Sequence, residues 1–256
     1  RVDEQELAAV DASVEKAKAA PPPDPDSVFT HVYAGTNASA ELTTSPPRSH
    51  SVPVGPTTDM GLAGAVNSAM RHALASDPRV VILGEDIADP MGGLFKATAG
   101  LSTDFGDRVR STPISETAIL GAAIGAAAAG MRPVAEIMFC DFLGVCMDQL
   151  ANHAAKLRYM TGGRVTAPIT VRTVVGTGNG PQHSQSFEAW AMHVPGLKVV
   201  FPSNPADAKG LLAACIDDED PCVFLEGMSL LFAKSAVPDE PYTLPLVPVS
   251  KMAQNH

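Results

Sequence analysis

The apolar positions of this 256-residue chain follow three patterns, with changes near residues 20 and 59. In 2–20, Val2, Leu7, Val10 and Val14 recur at helical spacing among charges, which predicts a short amphipathic helix. The prolines from Pro21 stop it, because proline lacks the N–H and clashes with the preceding turn. Residues 35–58 are rich in Gly, Ser, Thr and Pro and nearly lack large apolar side chains, which predicts a linker.

From Asp59 helical and strand periods alternate. Asp59 is expected to cap a helix reaching about Ala75, and RVVILGED (79–86) reads as a buried strand ending in a Gly-acid turn. A small-residue helix follows over 116–130, a strand over 132–139 and a longer helix near 142–160. Strands over 167–173 and 196–202, a helix over 204–216 and a strand over 221–226 complete the series. Short β-branched runs separated by helices predict a parallel sheet covered on both faces. The expected fold class is therefore α/β. Its domain spans 59–232, and a proline-bearing extended arm follows over 233–256.

Composition narrows the function classes. With 45% hydrophobic and 18% charged residues the chain can bury a sizeable core, and disorder throughout is excluded. A formal charge of −10 without any Lys/Arg run argues against nucleic acid as a partner. The longest charge-free apolar stretch, 118–131, is closed by Arg132 short of a bilayer's width, so no membrane span is expected. Cys140, Cys146, Cys215 and Cys222 form no CxxC pair and fit no tetrahedral zinc site. No charged-then-apolar leader opens the chain, so a reduced protein of the cytoplasm or an organelle matrix is expected.

The stretch 111–133 concentrates the candidate chemistry. Ser115 or Thr112 can cap a helix whose first turn holds Glu116, where a carboxylate suits the positive end of the dipole. Gly121, Gly125 and Gly130 follow, separated mainly by alanine. A helical glycine costs about 1 kcal/mol, so this series needs a packing reason. Close approach of another helix supplies one, and self-association is expected.

Glu116, Gly121 and Gly125 together resemble the E-x4-G-Φ-x-x-G motif of thiamin-diphosphate enzymes. LGEDI, TPISE, RPVAEIMF, DQLANHAAKLRYMTGG, GPQHSQSFEAW, PGLKVVFPSNPADAKGLL and PYTLPL extend the likeness from Asp59 to Leu246. This region resembles the β subunit of 2-oxo acid dehydrogenases, the decarboxylating component of the pyruvate, branched-chain and acetoin complexes. Residues 1–34 (…AKAAPPPDPDSVFTHVYA) resemble the last helix and tail of the α subunit, which suggests an α–β fusion joined by 35–58.

The resemblance implies a transketolase-like pyrimidine domain and specific roles. Glu116 would donate to the cofactor's pyrimidine N1′, since a carboxyl beside an apolar ring can have its pKa raised enough to stay protonated. Ile114, in TPISE, is implied in cofactor binding, and Phe142, in FCDFLG, in stacking on the pyrimidine. His183, in GPQHSQ, matches a histidine that assists acyl transfer to lipoate, and Glu85 a carboxylate of an acidic relay between paired cofactor sites. His153 is read as packing. A structural potassium ion is implied on backbone carbonyls at Ile169, Cys215, Ile216, Asp218 and Asp220.

Departures from the family pattern matter too. No Gly-Asp-Gly occurs, and Gly178-Asn179-Gly180 lies in another context, so the diphosphate and Mg2+ are expected on an α-type partner. The family's further C-terminal domain, which helps dock a lipoyl acyltransferase, does not follow before His256, and Ser111 stands where an acid is common. The implied function is the pyrimidine-side half of a thiamin-diphosphate 2-oxo acid dehydrogenase, oxidatively decarboxylating within a heterotetrameric α/β assembly. The alternatives are a thiamin-diphosphate acyl or acyloin transferase that forms C–C bonds, and a catalytically silent interaction module.

Overall fold

A parallel sheet needs strands that are apolar on both faces and helices long enough to return the chain to the same edge. The computed structural model, which describes residues 2–34, 52–176, 178 and 180–246, shows this arrangement. In chain order its elements begin with α1 (Val2–Ala19), β1 (Thr57–Gly61), α2 (Leu62–Ser76), β2 (Val80–Glu85) and α3 (Leu101–Phe105). Next come β3 (Val109–Thr112), α4 (Glu116–Ala128), β4 (Arg132–Phe139), α5 (Ala155–Met160) and β5 (Thr170–Val175). The series closes with α6 (Glu188–Met192), β6 (Lys198–Val200), α7 (Pro205–Asp217), β7 (Cys222–Gly227) and β8 (Lys234–Pro238).

Six strands form one sheet in the order β3-β2-β4-β5-β7-β6, and every neighbouring pair is parallel. Alternation along each strand divides the core into two layers. Val134 and Phe224 face α2 and α7, where they meet Leu62, Met70, Leu74 and Leu212. Their neighbours Ala135, Val223 and Leu225 face α4 and the 149–155 turn, meeting Ile119, Leu120, Ala123 and Leu150. The core is aliphatic as the composition requires, with Phe224 the one aromatic among the described fully buried hydrophobic residues.

Several elements differ from the sequence expectation. Asp59 caps nothing: it lies inside β1, which pairs antiparallel with β8 through Thr57↔Pro238 and Gly61↔Lys234. Gly61 takes the cap position of α2. The polar run TTDMG has no strand pattern of its own, and its partner is about 175 residues away. Strand β3 was likewise not anticipated, and it follows from pairing with β2 (Ile82↔Val109). The helix expected near 142–160 is broken into a 3-10 turn (Cys140–Gly144), a π-helical turn (Gln149–Ala154) and α5. The wider π turn brings Leu150, Ala154 and Ala155 to one buried face.

α1 forms where periodicity placed it, but Leu7, Val10 and Val14 remain exposed, so its apolar positions cover no core among the described residues. The linker over 35–51 and the end of the arm, 247–256, lie outside the described residues. No described helix is long and apolar enough to cross a membrane, and all four cysteines are buried free thiols.

Beneath the sheet's C-terminal edge lies a buried ionic triad. Arg172 of β5 donates through Nη1 to Glu136 of β4 (2.9 Å) and through Nε and Nη2 to Glu226 of β7 (2.8 and 2.7 Å). All three are at most 3% exposed. Burial pushes Glu226 up, while Glu226 and Glu136 hold the Arg172 guanidinium above its ordinary value against the cost of its own burial. With two carboxylates to one guanidinium, Arg172 stays charged.

Arg172→Met should destabilise the fold by roughly 3–5 kcal/mol, since it strands two buried carboxylates. Their folded-state pKa values then rise above the unfolded value, so the deficit is smallest below about pH 4 and grows as pH rises through the raised values. Urea midpoints measured from pH 4 to pH 8 check this; a pH-independent deficit would contradict it.

Candidate functional site

In an open parallel sheet, ligand-handling groups collect beyond the carboxyl ends of the strands, where loops leave for the covering helices. The adjacent strands β3, β2, β4 and β5 each deliver one of the sequence-predicted residues to that edge. Glu116 follows β3 at the first position of α4, and Glu85 is the last residue of β2. Phe142 lies in the turn after β4, and His183 in the short helical turn after β5. Residues 67 positions apart in the chain, from Glu116 to His183, thus share one edge.

Phe142 and His183 are in ring contact, edge to face at 5.5 Å between centroids. Phe139, the last residue of β4, meets His183 in the same way at 4.7 Å. The loop carrying His183 is pinned by Gln185. Its carbonyl accepts from Gly176 N–H (3.1 Å) and from the Cys140 thiol (2.9 Å), and its Nε2 donates to Asp141 Oδ1 (3.1 Å). Burial pushes the Cys140 thiol up to about 11, so it stays a donor at neutral pH. Phe139, Cys140, Asp141 and Gln185 are the residues that sequence reasoning missed. Their signal was adjacency to Phe142 and His183, which carries meaning only once β4 and β5 are known to be neighbours.

The carboxylates form a second group. Burial raises the Glu85 pKa, and the charges of Glu116, Asp86 and Glu136 raise it further in that order. Cys146 beside them is pushed up to about 12 by burial and by Glu116. Glu116 is half-buried, whereas Ile114 is 83% exposed two residues before it. Ser115 occupies the cap position of α4, yet its side chain makes no capping bond: its backbone (φ −162°, ψ 78°) departs from the usual cap geometry. Thr112 does not cap either, and its hydroxyl is buried without a partner near the start of α4. Gly121 and Gly125 have open space where a side chain would be, consistent with a helix face left bare for close approach.

The rim beside Glu85 is a tightly bonded loop, 86–100. Glu136 Oε1 accepts from Leu94 N–H (3.0 Å), and Gly93 has φ +70° with the Glu136 carboxylate 3.2 Å from where a Cβ would stand. Asp89 gathers the N–H of Gly100 (2.8 Å), both donors of Thr103 and the hydroxyl of Ser102. These bonds, the Gly100 N–H foremost, hold its carboxyl well below the usual carboxylate range.

One expected feature turns out differently. His153 is exposed and faces Asp148 at 3.5 Å, so it is not a packing residue. The residues of the expected potassium site, Ile169, Cys215, Ile216, Asp218 and Asp220, lie at the opposite end of the strands, where the Ile169 carbonyl accepts from Cys222 N–H (2.9 Å) and the Cys215 carbonyl from Asp218 N–H (3.3 Å). There Arg132 Nη1 donates to the carbonyls of Ile216 (3.1 Å) and Asp218 (3.0 Å) and pairs with Glu219. Lys198 pairs with the carboxylates of Asp218 and Asp220, and Arg158 with Asp220. Three basic and three acidic side chains meet in this cluster. No group of His, Cys, Asp and Glu able to hold a metal occurs among the described residues. A cavity of about 500 Å³ between α2 and α7, lined by His72, Lys209, Asp217 and Tyr242, holds none of the site residues.

Residues 59–233 match the model of the transketolase pyrimidine-binding domain, and the chain belongs to that family. Its relatives include β subunits of 2-oxo acid dehydrogenases and of acetoin oxidoreductases. The chain is 48% identical over 192 residues to the acetoin:2,6-dichlorophenolindophenol oxidoreductase subunit beta of Cupriavidus necator, covering 71% of this chain and 57% of that protein. It is 50% identical to the mitochondrial 2-oxoisovalerate dehydrogenase subunit beta of Chaetomium thermophilum (77% and 43% covered). It is 44% identical to the pyruvate dehydrogenase E1 component subunit beta of Bacillus subtilis (73% and 58% covered). The chain spans about half the length of these curated relatives. A split-gene transketolase described as an inactive β4 tetramer shares the fold, with a TM-score of 0.53 at 20% identity over 66% of this chain and 51% of that one.

The Asp89 bonds give a pH expectation. A carboxyl with a depressed folded pKa stabilises above its unfolded value of about 3.9 and loses that contribution as pH falls through the folded value. The Gly100 and Thr103 amides should therefore stay protected from hydrogen exchange at pH 4, lose protection only at lower pH, and be unprotected at any pH in Asp89→Ala.

Proposed function

We propose that this chain supplies the pyrimidine-side half of a thiamin-diphosphate-dependent 2-oxo acid dehydrogenase, decarboxylating a 2-oxo acid and passing the acyl group to a lipoyl acceptor within an α/β assembly. The observation that carries this reading is the delivery of a carboxyl, an aromatic ring and an imidazole to one edge by four neighbouring strands. These groups fit a flat heteroaromatic ring. Phe142 offers an aromatic surface, Glu116 offers a carboxyl at its margin, and the partnerless Thr112 hydroxyl shows polar capacity near the start of α4.

Thiamin diphosphate, when bound, supplies the electron sink that permits loss of the substrate's carboxyl group. Glu116, in the first turn of α4, is the carboxyl that would hold the ring nitrogen. Phe142 and Ile114 shield the ring from water. Phe139 and Phe142 fix the plane of His183, leaving its nitrogens to move a proton during acyl transfer. Glu85, with its raised pKa beside Glu116, extends the carboxyl group away from the cofactor as a proton relay.

The diphosphate and Mg2+ belong to an α-type partner, which also buries the exposed Ile114. The bare face of α4 at Gly121 and Gly125 receives a second copy, giving a heterotetramer. A lipoyl acyltransferase is the partner that consumes the acyl group.

The test uses the chain assembled with its α-type partner. Glu116→Gln should lower decarboxylation of a 2-oxo acid by roughly 10²- to 10⁴-fold, the usual worth of a positioned acid, with the melting temperature unchanged. Turnover retained in that variant would remove Glu116 from the role and overturn the reading.

A further inference from the structure

The end of the strands away from the cofactor residues holds a second construction that the proposed chemistry does not use. Residues 31–34 run back onto the α/β domain and are held by backbone and side-chain groups from three separate elements. The Tyr33 hydroxyl accepts from Gly196 N–H (3.2 Å) and donates to Leu197 O (3.3 Å), so backbone satisfies it both ways. Ala34 N–H donates to both oxygens of Asp220 (2.9 and 3.0 Å). Asp220 is 1% exposed and its carboxylate also meets Arg158 Nε and Lys198 Nζ, each at 3.1 Å.

Two glycines shape the socket. Gly196 has φ +99°, and a Cβ there would stand 2.1 Å from Ala155 O, so its N–H is fixed by close backbone packing. Gly163 has φ +79°, and a Cβ there would stand 3.0 Å from His31 Nδ1, so only a bare backbone leaves room for that imidazole. A buried carboxylate, a fixed amide and a glycine floor thus converge on one bent tetrapeptide, in which His31 has φ +58°. The preceding segment is stiffened by the Asp24-capped turn Pro25–Phe29.

We infer that this socket is a peptide-docking site that recognises the bent sequence His31-Val32-Tyr33-Ala34 and fastens the α-like segment 1–34, in cis, to the edge of the sheet remote from the cofactor residues. Specificity lies in the hydroxyl of Tyr33 and the N–H of Ala34, the two groups that reach partners fixed by the domain. The inference stands on these contacts and is independent of the reading given to Glu116 and His183.

The probe is a fluorescent, C-terminally amidated peptide of residues 25–34, titrated into the full-length chain. The wild-type chain should bind none at micromolar peptide, because its own tethered segment competes at an effective concentration of roughly millimolar. Tyr33→Ala in the chain should vacate the socket and give saturable binding. A peptide with Phe at position 33, and one N-methylated at the Ala34 nitrogen, should each bind at least tenfold more weakly while the protein is untouched. Equal binding by wild type and Tyr33→Ala, no binding by Tyr33→Ala, or indifference to both peptide changes would overturn the site. Hydrogen exchange at Ala34 in the wild type completes the test. Protection independent of protein concentration supports docking in cis, and protection lost on dilution would place the segment on a second copy and overturn the tether.

Discussion

The contact on which the rest depends is the one between Arg172 and its two glutamates. It joins β4, β5 and β7, three neighbouring strands of the sheet, inside a layer that is otherwise apolar. A guanidinium without partners could not stay buried there, and neither could two carboxylates. The three groups therefore fix the relative placement of the strands in a way that interchangeable Val and Ile side chains could not. Gly84 on β2 belongs to the same arrangement, since a Cβ there would stand 2.9 Å from the Glu136 Cβ. Through Glu136 the triad reaches the loop 86–100, and through β4 and β5 it sets where Phe142 and His183 leave the sheet.

The two ends of the sheet do different work. At the carboxyl ends the groups are half-buried and partly unsatisfied: Glu85 has a raised pKa, Thr112 a partnerless hydroxyl, and Ile114 an exposed side chain. At the amino ends the polar groups are paired, acid against base, around Asp218, Glu219 and Asp220. Polar groups are thus less completely satisfied at the carboxyl ends than at the amino ends, where the pairing holds the chain together.

Much of this was legible in the sequence. The interior strands carry their own signal because they are apolar on both faces, and β4 was delimited to the residue. The constellation was legible too, through motif blocks that surround Glu116, Phe142 and His183. Long-range pairing was not: TTDMG and KSAVP carry no strand pattern, and each becomes a strand only against the other. The failure at Asp59 has the same origin, since a good capping residue was drawn into β1. Gln185 and Asp141 stayed hidden because a hydrogen bond between loops 44 residues apart leaves no periodic trace. Arg132, Arg158 and Lys198, which meet the cluster around Asp218, Glu219 and Asp220, come from other elements and left no local sign.

The edges of the sheet limit how the molecule can assemble. β3 has four residues and β6 only three, with Lys198 opening β6. Short, charged edge strands offer too few free backbone groups in a row for another chain to extend the ladder. Growth by strand addition, the usual route from an open parallel sheet to unregulated aggregates, is thereby closed at both sides. On the six-stranded sheet, what remains for contact is side-chain surface on helices and loops, where shape and charge select the partner.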